Sequence, residues 1–214
     1  MPWSSNATFL ANLECGDLHG QAIYKPHRGE RPLWDFPAGL YRREVAAYVL
    51  SEALGWCFVP ETVVRDDGPL GVGSLQRFVD VDYDQHYFTL LEDPVHHDAL
   101  RMVCTFDLIA NNADRKGGHC LIDGDGKIWA IDHGLCFNAD PHLRTVIWDF
   151  AGDPIPEPLR EAASRFALDL PAELHGLLDR DEVAALAARA AAVAQLDRFP
   201  DPGHDRRPYP WPLV

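Results

Sequence analysis

Apolar and polar positions alternate along "ATFLANLE" (residues 7–14) and "GQAIYKP" (20–26), and both stretches hold β-branched or aromatic residues. That pattern predicts two short strands joined by the glycine-containing turn "CGDLHG". "HRGERPLWDFPAG" (27–39) is punctuated by Pro and Gly and reads as a loop. The spacing then changes. Leu40, Val45, Tyr48, Val49 and Leu54 fall largely on one face of a helix over "LYRREVAAYVLSEALG" (40–55), and Gly55 supplies its stop. "CFVPETVVR" (57–65) and "GVGSLQRFVD" (71–80) return to strand character on either side of "DDGPL". Residues 1–80 are therefore expected to form a twisted antiparallel sheet with one helix.

A helix is expected over "DPVHHDALRMVCTFDLIANN" (93–112), with Asp93 as N-cap, Pro94 at its first position, and Leu100, Val103, Cys104 and Ile109 facing inward. "HCLID" (119–123) and "KIWAID" (127–132) read as a hairpin around Asp-Gly-Asp-Gly. That turn lacks the sixth-position Gly and closing Glu of a calcium loop. "PEPLREAASRFALD" (156–169) and the Ala/Leu-rich run 171–196 are helical by pattern, without a functional signature in residues 183–194. The proline-rich stretch 199–214 is expected to run extended along the surface or to pack through Trp211.

Charge and cysteine content narrow the partners. Asp plus Glu total 33 against 19 Lys plus Arg, a net charge of −14, and no basic run offsets it locally. This argues against nucleic acid and against stable membrane association. No run approaches the roughly 20 apolar residues that span a bilayer, and no apolar leader follows Met1. Cys15, Cys57, Cys104, Cys120 and Cys136 are odd in number and widely spaced, which suits neither a disulfide framework nor a zinc knuckle. A soluble cytoplasmic protein is expected.

Candidate chemistry is concentrated in "NNADRKGGHCLIDGDGKIWAIDHG" (111–134). Asp114 follows a helix and precedes Arg115 and Lys116: a carboxylate that could orient and deprotonate a hydroxyl, beside cations that could steady phosphate. Asp132 ends a strand before His-Gly, a position suited to a metal-binding carboxylate. A helix, an Asp-containing loop, a hairpin and then Asp-x-Gly is the order in which protein kinases build a catalytic loop and a metal site. Upstream, Lys25 ends a strand as the kinase phosphate lysine does, and Glu44 lies early in the next helix, where it could pair with that lysine. "SSNATF" (4–9) supplies Ser4, Ser5 and Asn6 where a phosphate-covering turn belongs.

Taken together, "SSNATF", "AIYKP", "REVAAY", "VGSLQRFV", "NADRKGGH" and "AIDHGLCF" resemble the phosphatidylinositol 3-/4-kinase-like superfamily, type II phosphatidylinositol 4-kinases above all, and within it small bacterial members. The resemblance covers residues 3 to about 150. It implies a minimal two-lobed protein-kinase-like α+β fold, with an N-lobe over 1–80 and a mainly helical C-lobe over 81–214. ATP would lie between the lobes, its adenine against Gln76, Phe78 and Val79 and its phosphates on Lys25, with Asp114 and Arg115 catalytic and Asp132 ligating metal. His119 stands where the lipid kinases place a metal-binding asparagine. An imidazole there leads to an expectation that Mn serves at least as well as Mg.

Two further expectations concern what is missing. Residues 1–5 leave little room for the strand that precedes the phosphate turn in that superfamily, and the lipidated cysteine-rich segment has no counterpart, so a protein or small-molecule hydroxyl is preferred to lipid as acceptor. Two other classes remain open: a pseudokinase that regulates by binding nucleotide or a partner, and a metal-dependent hydrolase built on His119, Asp132 and His133.

Overall fold

The computed structural model describes residues 6–203 and 207–214. Strands β1 (Phe9–Cys15), β2 (Leu18–Pro26), β3 (Thr62–Gly68) and β4 (Gly71–Arg77) form an antiparallel sheet in the order β1-β2-β4-β3, with helix α1 (Leu40–Ala53) inserted between β2 and β3. The register sets Lys25 opposite Ser74 and Ile23 opposite Gln76. The two opening strands and α1 form where the hydrophobic pattern places them. "CFVPETVVR" becomes a strand only from Thr62. Pro60 cannot donate to a ladder, and the preceding backbone is engaged elsewhere: the Phe58 and Val59 amides donate to Ser51 Oγ at 3.1 and 3.4 Å. The Phe58 carbonyl accepts from Ala130 at 3.0 Å.

A second sheet, in the order β5-β6-β7, joins β5 (Val81–His86) to the expected hairpin of β6 (Cys120–Asp123) and β7 (Ile128–Ala130). The hairpin turn is held by Asp123, which accepts from the amides of Asp125 and Lys127 and from Trp129 Nε1 at 3.0, 2.9 and 2.7 Å. Those bonds employ the Asp-Gly-Asp-Gly turn structurally. The rest is helical: α2 (Tyr87–Leu90), α3 (His97–Ala110), α4 (Glu157–Leu168), α5 (Leu174–Leu177) and α6 (Arg180–Gln195). Asp93 does cap, accepting from Val95, but it caps a 3-10 turn with Pro94 first, and α3 begins behind that turn.

The single helical run expected over 171–196 is broken at Leu178, which is extended. Asp179 starts α6 with a reciprocal cap, accepting from the Glu182 amide at 2.8 Å while Glu182 accepts from the Asp179 amide at 3.0 Å. The main apolar core joins α1, the hairpin and the later helices; Leu50, Phe106, Ile109, Ile147 and Leu186 are wholly buried within it, and Phe36, Leu40 and Ala113 form a second, smaller cluster. Removing such side chains from water is the main term holding the layers together. The stretch Arg207–Val214 forms no helix or strand and lies against this body, its path bent at Tyr209 and at Trp211–Pro212. Its anchor is the buried Pro210, whereas Trp211 is 88% exposed. No helix among the described residues is long and apolar enough to cross a membrane.

Helix α1 is fixed at both ends of its charged face. Glu30 accepts from the Gly39 and Tyr41 amides at 2.8 and 2.9 Å, satisfying the exposed N–H groups at the helix start. Arg43, 3% exposed, donates to the Cys136 carbonyl at 2.6 Å and pairs with Glu182 on α6. Its guanidinium also stacks over Phe36, 5.1 Å from the ring centre. Glu182→Ala would strand the buried Arg43 charge and is expected to lower unfolding free energy by about 3–5 kcal/mol in urea denaturation, with Glu182→Gln losing less.

Candidate active site

A cavity of about 520 Å³ opens between the four-stranded sheet and the hairpin. Lys25 enters it from the end of β2 and Glu44 from the second turn of α1. Lys25 Nζ donates to Glu44 Oε1 at 2.5 Å and to Asp132 Oδ1 at 2.8 Å. The second Glu44 oxygen accepts from the His133 amide at 3.0 Å. One buried carboxylate thus holds both the lysine and the backbone that carries Asp132.

The charges support one another. Burial alone would push the Lys25 ammonium toward neutrality, but Asp132 and Glu44 outweigh it and hold the lysine charged, above its ordinary value. Lys25, in turn, holds the Asp132 carboxyl well below the usual carboxylate range against the opposing cost of burial. Burial raises Glu44, and Lys25 offsets part of that rise. Asp132 occupies the left-handed region at φ 61°, which Asp tolerates better than most side chains.

Asp114 lines the same cavity from the loop after α3. That loop is rigidly tied. Asn111, left-handed at φ 52°, donates to the carbonyls of Asn138 and Asp140. Asn112 donates to Asp107 at 2.9 Å and accepts from the Asp114 amide at 3.0 Å. The Asp114 carboxylate sits 3.1 Å from Lys116 Nζ. Burial raises its affinity for a proton while Lys116 opposes that shift.

Arg115 does not join them. Its guanidinium is wholly buried, donates twice to Asp107 at 3.0 Å, reaches the Ile131 carbonyl at 3.1 Å and lies 2.8 Å from His133 Nε2. Successive side chains in extended backbone point to opposite sides, so Asp114 and Lys116 face the cavity and Arg115 faces the core. The expected role of Arg115 on phosphate is thereby corrected: it ties the loop to the hairpin, and Lys116 is the loop cation in the cavity. Arg144 is likewise engaged outside the cavity lining, donating to the Ala113 carbonyl at 2.8 Å, with Asp35 at 3.6 Å.

His119 and Asp132 do come together, with 3.4 Å between Nε2 and Oδ2. Burial pulls His119 down to about 4, against the pull of Asp132, so the ring is neutral at neutral pH. The Lys116 amide points at Nδ1 from 3.4 Å, which directs the ring proton to Nε2 and toward Asp132. Ligation of a metal by Nε2 requires the other tautomer. His133 faces the core, 5.3 Å from the Phe106 ring, and no group of three or more His, Cys, Asp or Glu side chains converges among the described residues. That arrangement disfavours the hydrolase reading.

Of the remaining expected residues, Asn6, Gln76, Phe78 and Val79 line the cavity, while Ser4 and Ser5 lie outside the described residues. The Asn6 side-chain oxygen accepts from the Arg31 amide at 2.9 Å. The Gln76 side-chain amide donates to Thr62 Oγ1 at 2.9 Å, and the Phe78 backbone amide to the Gln21 carbonyl at 3.0 Å. Leu121, Trp129 and Ile131 form an apolar wall that was not singled out from sequence. Their signal was the hairpin's alternation: Leu121 pairs with Trp129, and Ile131 lies two residues beyond Trp129.

No protein-family model matches the chain. It is 40% identical over 248 residues to Protein Rv2133c of Mycobacterium tuberculosis (strain ATCC 25618 / H37Rv), a match covering 98% of this chain and 88% of that protein. The chain belongs to the Rv2133c family. Among solved structures, the Helicobacter pylori proinflammatory kinase CtkA superposes with a TM-score of 0.52 at 13% identity, covering 91% of this chain and 90% of that one. The Golgi casein kinase with Mn/ADP bound gives 0.51 at 17% identity over 91% and 70%. Hydra Fam20 with sugar gives 0.50 at 14% identity over 89% and 80%. At these identities the likeness establishes the fold, and this member of the Rv2133c family has the two-lobed kinase-like α+β fold expected of it.

The different surroundings of the two loop neighbours predict different losses. Arg115→Met leaves the Asp107 charge buried and unpaired and is expected to cost about 3–5 kcal/mol of stability, whereas Asp114→Ala should cost less than about 1 kcal/mol. Urea unfolding of both variants against wild type measures the contrast.

Proposed function

We propose that the cleft binds ATP with a divalent metal ion and transfers the terminal phosphoryl group to a hydroxyl acceptor, as a small phosphatidylinositol 3-/4-kinase-like phosphotransferase. What supports this reading most is the meeting in one cavity of Lys25, held by Glu44 and Asp132, with Asp114 and Lys116. Phosphoryl transfer asks little covalent chemistry of a protein. It needs placed charges and an aligned hydroxyl, and those are what this cavity offers.

In this reading Lys25 and Lys116 neutralise phosphate oxygens, and Glu44 keeps Lys25 aimed. Asp114 orients the acceptor hydroxyl and takes its proton, a task helped by the raised proton affinity that burial gives it. The base lies toward Phe78 and Val79, against the wall of Leu121, Trp129 and Ile131. Asp132, with His119 after a change of tautomer, would hold the metal. A divalent ion held there would supply positive charge against the negative charge that develops during transfer. One carboxylate and one imidazole leave the other positions to phosphate and water, which fits an ion held together with nucleotide rather than alone. Mn, which accompanies ADP in the Golgi casein kinase structure, suits the imidazole better than Mg.

A second reading, a nucleotide- or partner-binding pseudokinase, is favoured by one observation. As folded, His119 turns its protonated Nε2 toward Asp132, 3.4 Å away, and that tautomer cannot ligate a metal through Nε2. Transfer of label from γ-labelled ATP, read beside thermal-shift titration with ATP and each metal, separates the two. Asp114→Ala is expected to cut turnover by about 10²-fold or more while leaving the ATP-induced thermal shift in place; retained turnover would sink the assignment. With wild type, Mn should support turnover at least as well as Mg, and His119→Asn should move the preference toward Mg. A strong Mg preference in wild type would count against the His119 role.

A further inference from the structure

The proline-rich segment Arg207–Val214 lies along the catalytic-loop side of the cleft. The Pro208 carbonyl accepts from the Thr145 amide at 3.0 Å and from Trp148 Nε1 at 3.1 Å. Further on, the Leu213 carbonyl accepts from the Gly117 amide at 2.7 Å. Pro212 and Val214 line the cavity that also holds Asp114 and Lys116. The fit on the loop is close. A Cβ on Gly117 would lie 2.8 Å from the Phe88 ring and 3.4 Å from the Leu213 carbonyl, and one on Gly118 would lie 3.7 Å from Val214.

A groove binds an extended polypeptide chiefly through its own unpaired backbone groups, with side-chain pockets adding specificity. Beside Asp114 those groups are the amides of Gly117 and Thr145, the latter bridged to Arg115 in the loop itself. Both amides already donate to residues 208 and 213 of this chain. Any polypeptide acceptor would have to displace the segment and its buried Pro210.

We propose that Arg207–Val214 occupies the place a polypeptide acceptor would take, and that the acceptor is therefore a small hydroxyl-bearing molecule, bound against Pro212 and Val214 with its hydroxyl at Asp114. This rests on the phosphotransferase reading. In the step itself the acceptor oxygen forms the new bond to phosphorus, the bond from phosphorus to the departing ADP oxygen breaks, and the hydroxyl proton passes to Asp114. The segment is a specificity element, since it removes one class of acceptor without touching the phosphate-holding residues.

The full chain is incubated with γ-labelled ATP, Mn and a cell extract divided by ultrafiltration into small molecules and macromolecules. Wild type is expected to label the small-molecule pool and to leave polypeptides at background. Pro210→Asp, which places a carboxylate in the buried anchor, is expected to gain polypeptide labelling and to lose small-molecule labelling several-fold, because the wall of Pro212 and Val214 leaves with the segment. Amide exchange reports seating directly: Gly117 and Thr145 should be protected in wild type and exposed in Pro210→Asp, with the α3 and α6 amides slow in both. Polypeptide labelling by wild type, or fast exchange at Gly117 and Thr145 in wild type, overturns the inference while leaving the phosphotransferase reading intact. Absence of transfer to either pool by wild type overturns that reading, and the inference with it.

Discussion

A half-buried lysine ammonium held between two carboxylates is the constraint on which the rest of this structure depends. Glu44 and Asp132 both reach Lys25 and hold it charged. Each comes from a different part of the chain, so strand β2, helix α1 and the end of the hairpin must hold their relative positions for any of the three charges to be tolerated. The register of β2 on β4, the cap that Glu30 places on α1 and the bond from the His133 amide to Glu44 all serve that requirement. Removal of any one carboxylate leaves an imbalance that burial makes expensive.

Beneath this cluster lies a second one that solvent does not reach. Asp107, Asn112, Arg115, Thr145 and His133 form a connected set of hydrogen bonds in which Arg115 spans from the loop that carries Asp114 to the segment after β7 that carries Asp132. The two aspartates therefore share a common foundation although the hairpin separates them in sequence. Buried polar networks of this kind hold position well when their members are paired, and here His133 Nδ1 is the exception, a buried nitrogen with no partner among the described residues.

How much of this was legible in the sequence depended on whether a short window contained both the residue and its geometric reason. Lys25 at a strand end, Glu44 on the following helix, and Asp114 and Asp132 on either side of a hairpin could be named because regular elements with clear periodicity carry or flank them. Arg115 could not be told from Lys116. In an irregular loop no period says which neighbour faces inward, and only the position of Asp107, one turn back on α3, decides it. Strand β5 was missed because "VDYDQH" is polar and largely exposed, so it carries none of the apolar alternation that identifies a half-buried strand. The break before α6 was written in the sequence as Asp179 with Glu182 three residues on, but the surrounding Ala-rich run obscured it. Pairing of Arg43 with Glu182 joins residues 139 apart, a distance at which local pattern carries no information.

That long-range pair bears on how the cleft meets its ligand. With Arg43 clamped to Glu182 and to the Cys136 carbonyl, the helix bearing Glu44 is docked in the absence of any ligand. The ordering entropy that a swinging helix would lose on binding has already been lost on folding, so a ligand that enters the cleft keeps more of its contact energy as affinity. The corollary concerns control. A protein built this way has little to gain from switching by helix displacement, and regulation would have to act on access to the cleft or on the supply of what enters it.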